Sequence, residues 1–126
     1  MKSQARVVII GGGIYGVSLA YWLARYGWDD VVLLEQGELT SGQTWHAAGF
    51  VTNYAFDINT MRINDESVKL YKAIGAETGH DPGWITSGTL RLLYTPMQYD
   101  GALSGVAWAE QVGVRAEIVS PGRAKE

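Results

Sequence analysis

The sequence predicts an α/β fold with a parallel sheet at its core. Two stretches, 5–10 (ARVVII) and 31–35 (VVLLE), contain continuous apolar runs with β-branched residues, which are typical of strands buried on both faces. Between them, residues 14–26 place apolar side chains at helical spacing, and Gly27 is a suitable C-terminal stop. A strand, a helix and a second strand in this order make a βαβ unit, whose two strands run parallel.

The residues after this unit alternate between loops and further elements. Residues 37–50 are rich in Gly, Ser, Thr and Ala and show no period, which predicts an ordered loop. An apolar stripe predicts a helix over residues 59–78, and the turn Asp81-Pro82-Gly83 follows it. The other predicted elements are a strand within residues 84–94, a helix over 96–112, a short strand over 114–119 and a helix that starts at Ser120-Pro121.

Composition excludes several classes of function. The chain has 126 residues, a net charge of -3 and no cysteine, so disulfides, thiolate metal sites and cysteine nucleophiles are excluded. No basic stretch indicates a nucleic-acid partner. The apolar runs are too short to span a bilayer and the first residues lack the pattern of a signal peptide, which predicts a soluble cytoplasmic protein without a membrane contact.

The glycines after the first strand follow the pattern GxGxxG. Gly11 permits a tight turn, Gly13 lets the backbone approach a pyrophosphate, and Gly16 lets the helix pack closely on the strand. Glu35 ends the second strand about 20 residues further on, where a carboxylate accepts hydrogen bonds from ribose hydroxyls. The order of these parts predicts binding of a dinucleotide that contains ADP, either FAD or NAD, since both present the same half to this motif.

His46 is the second feature with chemical content. From the residues alone it is a core histidine beside Trp45, a general base or, with little support from its neighbours, a metal ligand. It follows Glu35 on a loop that leaves the C-terminal edge of the predicted sheet, where ligands of such folds bind. The small residues Ala47, Ala48 and Gly49 would allow the backbone to approach a flat ring.

Residues 7–50, VVIIGGGIYGVSLAYWLARYGWDDVVLLEQGELTSGQTWHAAGF, resemble the N-terminus of FAD-dependent amine oxidoreductases of the dimethylglycine and sarcosine dehydrogenase group, within the D-amino-acid-oxidase-like superfamily. The resemblance continues through ESVKLYKAIGAETGHDPGW and SGTLRLLYTP. The glycine motif is common to many flavoproteins, whereas LTSGxTWHAAG is much more specific.

The resemblance implies a set of cofactor-binding residues. It implies that His46 carries FAD covalently, through a bond from the imidazole to the 8α-methyl carbon of the flavin. Gln43 departs from the family, which usually has a small serine there. The full set implied by the motif and the resemblance is Gly11, Gly13, Ile14, Tyr15, Gly16, Glu35, Gln36, Gly42, Gln43, Thr44, Trp45, His46, Ala47, Ala48, Gly49 and Phe50.

The resemblance also implies a fold and a reaction. The fold is the N-terminal βαβ part of a Rossmann-like FAD-binding domain, residues 1–83, followed by the start of an α+β substrate domain, residues 84–126, in a truncated chain. The reaction is oxidation of a secondary or tertiary N-methyl amine such as dimethylglycine or sarcosine by hydride transfer to flavin. The electron acceptor would be an electron-transfer flavoprotein or oxygen. No catalytic base is assigned, and Arg91 and Tyr94 are not assigned a role.

Three alternatives stay open on the sequence. The first is a noncovalent FAD amine or glycine oxidase of the same superfamily. The second is a regulatory flavoprotein that binds the nucleotide without turnover. The third is an NAD-binding module, which the glycine motif by itself does not exclude.

Overall fold

The computed structural model describes residues 4–125. Its elements are the strands β1 (Val7–Ile10) and β2 (Val31–Leu34), the helices α1 (Ile14–Arg25), α2 (Ile58–Thr78) and α3 (Pro96–Val112), and a short 3₁₀ turn (Arg123–Lys125). The chain divides into two compact units, one that ends at Phe50 and one that begins at Val51. The domain boundary predicted after residue 83 stays a prediction.

The first unit contains the predicted βαβ arrangement. β1 and β2 pair in parallel, with Val7 opposite Val31 and Ile10 opposite Leu34. The Gly11 N–H extends this ladder by donating to the Leu34 carbonyl at 2.8 Å. α1 packs on both strands. The turn that joins β1 to α1 follows the C-terminal end of β1 and so lies at the carboxyl edge of this parallel pair. The prediction of a parallel α/β unit is confirmed, with strands one or two residues shorter at their ends.

The second unit is built around two capped helices. Asp57 caps α2 by accepting the amides of Asn59 and Thr60, and Thr95 caps α3 in a capping box with Gln98. Both helices end at glycines in the left-handed conformation, Gly79 and Gly113. The helices lie within one residue of their predicted bounds because these start and stop signals are local. Met61, Ala109 and Val114 form the buried core between them.

Two predicted strands do not form. Residues 84–94 and 114–119 carry no strand, and within residues 4–125 β1 and β2 pair only with each other. A strand needs a hydrogen-bonded neighbour, which alternation of side chains does not supply. Instead Trp84 stacks on Tyr71 with ring centroids 5.9 Å apart, and Val114 packs into the helical core.

The end of the described chain matches the predicted helix start only in part. Ser120 Oγ accepts the Arg123 N–H at 3.3 Å, as an N-cap does. The element that follows is the 3₁₀ turn Arg123–Lys125. None of the helices in the described part of the chain is long and apolar enough to cross a bilayer.

Candidate cofactor site

An open cleft of about 440 Å³ lies at the carboxyl edge of the β1–β2 sheet. This volume is within the range of small-molecule and cofactor sites. Three stretches of the first unit meet there: the end of β1 with the glycine turn, the residues after β2, and the start of the loop that carries His46. The lining residues are Ile10, Gly11, Gly13, Ile14, Tyr15, Gly16, Glu35, Gln36, Gly37, Thr40, Ser41, Gly42, Gln43 and Thr44.

The glycine turn, residues 11–16, has the geometry that its sequence predicts. Gly11 has a φ of 100°, a conformation that glycine adopts without a steric penalty. A Cβ on Gly16 would overlap the Gly11 carbonyl oxygen, so only glycine allows α1 to begin this close to β1. The first helical hydrogen bond runs from the Val17 N–H to the Gly13 carbonyl at 3.0 Å. The amides of Tyr15 and Gly16 precede that bond and are therefore available to a ligand in the cleft.

Glu35 connects the end of β2 to the glycine turn. Its Oε2 accepts the Gly12 N–H at 2.6 Å, and its Oε1 accepts the Gly37 N–H at 2.9 Å. These backbone hydrogen bonds, first from Gly12 and then from Gly37, lower the pKa of Glu35 and outweigh the opposing effect of desolvation. Each carboxylate oxygen has a second lone pair, so the ionised group has the capacity to accept a further hydrogen bond from a ligand in the cleft.

Thr44, which also lines the cleft, contacts the N-terminus of α1. Its Oγ1 accepts the Ile14 N–H at 2.9 Å. Gly13, the N-cap residue, has no side chain to do this, and a Cβ there would lie 3.2 Å from the Thr44 oxygen. Ile14 lines the cleft as expected, but its amide is already paired with a side chain of the same unit.

His46 is exposed and lies beyond the lining of the cleft. Its Nδ1 is 2.9 Å from the Gly42 carbonyl oxygen. A carbonyl only accepts, so Nδ1 carries the proton of this hydrogen bond, and in the neutral form of the ring the free lone pair is on Nε2. Trp45 beside it is 79% exposed, which is contrary to the interpretation of a core tryptophan and core histidine.

The structure brings together only part of the predicted site. The cleft contains the glycines of the motif and the residues from Glu35 to Thr44, apart from two that it does not touch. The predicted residues outside its lining are Trp45, His46, Ala47, Ala48, Gly49 and Phe50. Four lining residues were not predicted, namely Ile10, Gly37, Thr40 and Ser41. Their signal was position in the chain: Ile10 directly precedes the glycine turn, and the other three lie between the predicted residues Gln36 and Gly42.

Gln43, the departure from the family pattern, lines the cleft and is exposed. Its backbone carbonyl accepts the His46 N–H at 3.2 Å, within a series of turns that holds the loop. The backbone hydrogen bond does not depend on side-chain type, so glutamine at this position is compatible with the loop conformation.

In the second unit, the cationic side chain of Arg91 packs against aromatic rings. The Arg91 guanidinium lies over the Phe56 ring, 4.2 Å from its centroid, and within 5.9 Å of the Tyr54 ring. Among residues 4–125, no group of three or more His, Asp and Glu side chains is placed to bind a metal ion.

Comparison with known proteins identifies the family. Residues 6–126 match the model of the DAO family, described as FAD dependent oxidoreductase. The chain belongs to this family. FAD is thus the cofactor of the family. The resemblance to the dimethylglycine and sarcosine dehydrogenase group, which rests on residues 7–50, is confirmed.

Individual relatives place the chain more closely within the family. It is 52% identical over 99 residues to the mitochondrial dimethylglycine dehydrogenase of Homo sapiens, covering 79% of this chain and 11% of that protein. It is 36% identical over 126 residues to the mitochondrial pyruvate dehydrogenase phosphatase regulatory subunit of Mus musculus, covering 100% of this chain and 14% of that protein. The chain therefore spans a small part of the length of these relatives.

A solved structure confirms the fold class. L-proline dehydrogenase from P. horikoshii matches with a TM-score of 0.80 and 25% identity, over 99% of this chain and 33% of that one. The βαβ unit of this chain is accordingly the Rossmann-like part of an FAD-binding fold.

Proposed function

We propose that the protein is an FAD-dependent oxidoreductase that oxidises the C–N bond of a secondary or tertiary N-methyl amine. The observation that carries the proposal is the cleft, in which the glycine turn and Glu35 meet at the carboxyl edge of a parallel sheet in a chain of the FAD dependent oxidoreductase family. The human relative, named for its action on dimethylglycine, supports this class of substrate. The bound flavin would supply the acceptor for a hydride from the carbon beside nitrogen.

The residues of the cleft fit the ADP half of FAD. The free amides of Tyr15 and Gly16, at the positive end of α1, would hold a phosphate. Gly13 and Gly16 keep the surface beside those amides clear of side chains. Glu35, ionised and anchored by two backbone amides, would accept hydrogen bonds from the ribose, with Gln36 beside it. Residues 42–44 would continue along the cofactor towards the flavin.

We further propose that His46 is the attachment point of the flavin. Its Nδ1–H bond to Gly42 leaves the Nε2 lone pair as the nucleophile of an exposed ring. The new N–C bond would replace one C–H bond of the 8α-methyl group, with the proton lost to solvent and the electron pair left on the flavin, from which the electron acceptor of the enzyme would remove it. Trp45 and residues 47–50 would then surround the ring system. In the two alternatives no covalent bond forms and denaturation releases the flavin. One is an otherwise similar oxidase that binds FAD noncovalently, and the other is a His46 that contacts the flavin without a bond to it.

Acid denaturation of the full-length protein tests the attachment. Flavin fluorescence that stays with the denatured chain in a gel, and is lost in His46→Ala, is the expected result. His80→Ala is the matched control, because His80 lies in the second unit and bonds its own turn through Nδ1. Complete release of flavin from the denatured wild type would contradict a covalent bond and leave the noncovalent oxidase.

A regulatory flavoprotein without turnover is the second candidate function. The murine relative that matches the whole chain is named as a regulatory subunit. Anaerobic mixing of the FAD-loaded protein with dimethylglycine or sarcosine distinguishes the two. Bleaching of the flavin spectrum supports the amine oxidoreductase, whereas stable yellow colour with both amines supports the regulatory protein. Binding of NAD in place of FAD would contradict both.

The electron acceptor and the compartment are further proposals. Reoxidation of the bleached flavin in air would favour oxygen, and slow reoxidation that an electron-transfer flavoprotein accelerates would favour that partner. The cytoplasm is the compartment predicted from the sequence, whereas both relatives are named as mitochondrial. Fractionation of cells that express the full-length protein separates these two locations.

A further inference from the structure

Two hydrogen bonds join the glycine turn to the loop that carries His46, residues 37–50, here called the His46 loop. The Thr40 N–H donates to the Gly12 carbonyl at 3.0 Å. The Thr44 hydroxyl accepts the Ile14 N–H at 2.9 Å. The first contact is between backbone groups, so any residue except proline can make it. The second depends on a side chain and is open to substitution.

Thr40 shows that the path of the loop is imposed by its surroundings. It has a φ of 64°, in the left-handed region that β-branched residues avoid. Its carbonyl accepts the Trp45 N–H at 3.1 Å, so the strained residue bonds both the glycine turn and the far side of the loop. Strain of this kind persists only where neighbouring contacts determine the conformation.

Gly13 has a second reason to be glycine. A Cβ at this position would lie 3.2 Å from Thr44 Oγ1, closer than nine in ten Cβ contacts in proteins. The open space beside the N-terminus of α1 is therefore shared between the approach of a ligand and the hydroxyl of Thr44. The absence of a side chain at Gly13 thus leaves room for the Thr44 hydroxyl of the His46 loop.

We propose that the Thr44 hydroxyl is a positioning group, which holds the His46 loop in register with the glycine turn and so presets the loop for the flavin half of the cofactor. This inference rests on the proposed function, in that FAD occupies the cleft. Without the hydroxyl the loop would be ordered only by its backbone contacts, and part of the binding free energy would be spent in ordering it. The ADP half would contact the glycine turn and Glu35, which are also joined to each other by the Gly12–Glu35 hydrogen bond without help from Thr44.

Affinity measured in the full-length protein tests the proposal. All variants carry His46→Ala, so that binding stays reversible, and dissociation constants are measured for FAD and for ADP. Thr44→Val removes the hydroxyl at nearly constant shape, and Thr44→Ser restores it. Thr89→Val is the matched control, since Thr89 is exposed in the second unit and is not among the residues that line the cleft.

The expected result is a selective loss of affinity for FAD. Thr44→Val should raise the dissociation constant of FAD about tenfold, the effect of one well-placed hydrogen bond, and that of ADP less than about twofold. Thr44→Ser should return FAD binding to within about threefold of the parent, and Thr89→Val should change neither constant. If Thr44→Val fails to fold, Thr44→Ala is measured against the same standard.

Other outcomes would overturn the proposal in distinguishable ways. Equal increases in the dissociation constants of FAD and ADP would show that Thr44 only caps the helix. An unchanged FAD constant in Thr44→Val, or no recovery in Thr44→Ser, would also overturn it. Absence of FAD and ADP binding in the His46→Ala parent and in the wild type would instead contradict the proposed function.

Discussion

The Glu35 carboxylate accepts the Gly12 N–H at 2.6 Å and thereby ties the end of β2 to the glycine turn that follows β1. The same carboxylate accepts the Gly37 N–H, so it organises the backbone on two sides of the cleft. A residue that the sequence assigns to the ribose thus also shapes the cleft that is proposed to bind it.

Glu35→Gln should weaken FAD binding roughly tenfold or more in the full-length protein. The amide offers one acceptor oxygen in place of two, so one of the backbone N–H groups, from Gly12 or Gly37, loses its partner. The measurement is the dissociation constant of FAD. Glu38→Gln is the control, because the Glu38 side chain makes no hydrogen bond or ion pair within residues 4–125. An equal loss in both variants would contradict the assignment.

The pH dependence of the protein's stability should reflect the ionisation of the Glu35 carboxylate. The folded pKa of Glu35 lies below its ordinary value, so its contribution is fully present above that value and is lost as the pH falls through the lowered pKa. The difference in thermal midpoint between wild type and Glu35→Gln should therefore be constant near neutrality and shrink from about pH 4 downwards. A difference that grows on acidification would have the wrong sign.

Gly16→Ala should destabilise the protein by about 1–3 kcal/mol, the usual result of overpacking. The added methyl group would overlap the Gly11 carbonyl oxygen, which is backbone and cannot rotate away. Gly42→Ala is the matched control for unfolding, since a Cβ there meets open space. Similar unfolding midpoints for the two variants would show that α1 does not approach β1 as described.

Thr40→Asn should stabilise the protein by roughly 1 kcal/mol, because asparagine tolerates the left-handed conformation better than a β-branched residue does. Thr40→Val keeps the branching at Cβ and should leave the strain in place. Thermal unfolding of both variants gives the comparison. A lower midpoint for Thr40→Asn than for Thr40→Val would contradict a strained backbone at this position.

Two glycines on α3 offer a test of packing in the second unit. Gly101→Ala should stabilise the helix by about 0.5–1 kcal/mol, since its Cβ meets open space. Gly105→Ala gains the same helix propensity but would place a Cβ against the Tyr54 ring and hydroxyl, so a net loss of about 1–3 kcal/mol is expected. Chemical denaturation compares the two, and equal stabilities would contradict the contact with Tyr54.

Much of the fold followed from local signals. The βαβ unit was predictable because apolar runs, glycines and a terminal acid occur in order, and α3 because Thr95, Pro96, Gln98 and Gly113 mark its ends. The strands expected within residues 84–94 and 114–119 were not predictable in the same way. Their alternation records which side chains share a face, whereas a strand depends on a neighbour elsewhere in the chain.

The candidate site also combines features that local sequence predicts with features that depend on distant residues. Residue types and spacing sufficed to point to Gly11, Gly16 and Glu35, because a tight turn, a close helix approach and a carboxylate at a strand end are local requirements. The bonds from Ile14 to Thr44 and from Gly12 to Glu35 join residues far apart in the chain. Such pairings depend on how the loop folds back over the sheet edge, and spatial proximity of this kind leaves no periodic trace in the sequence.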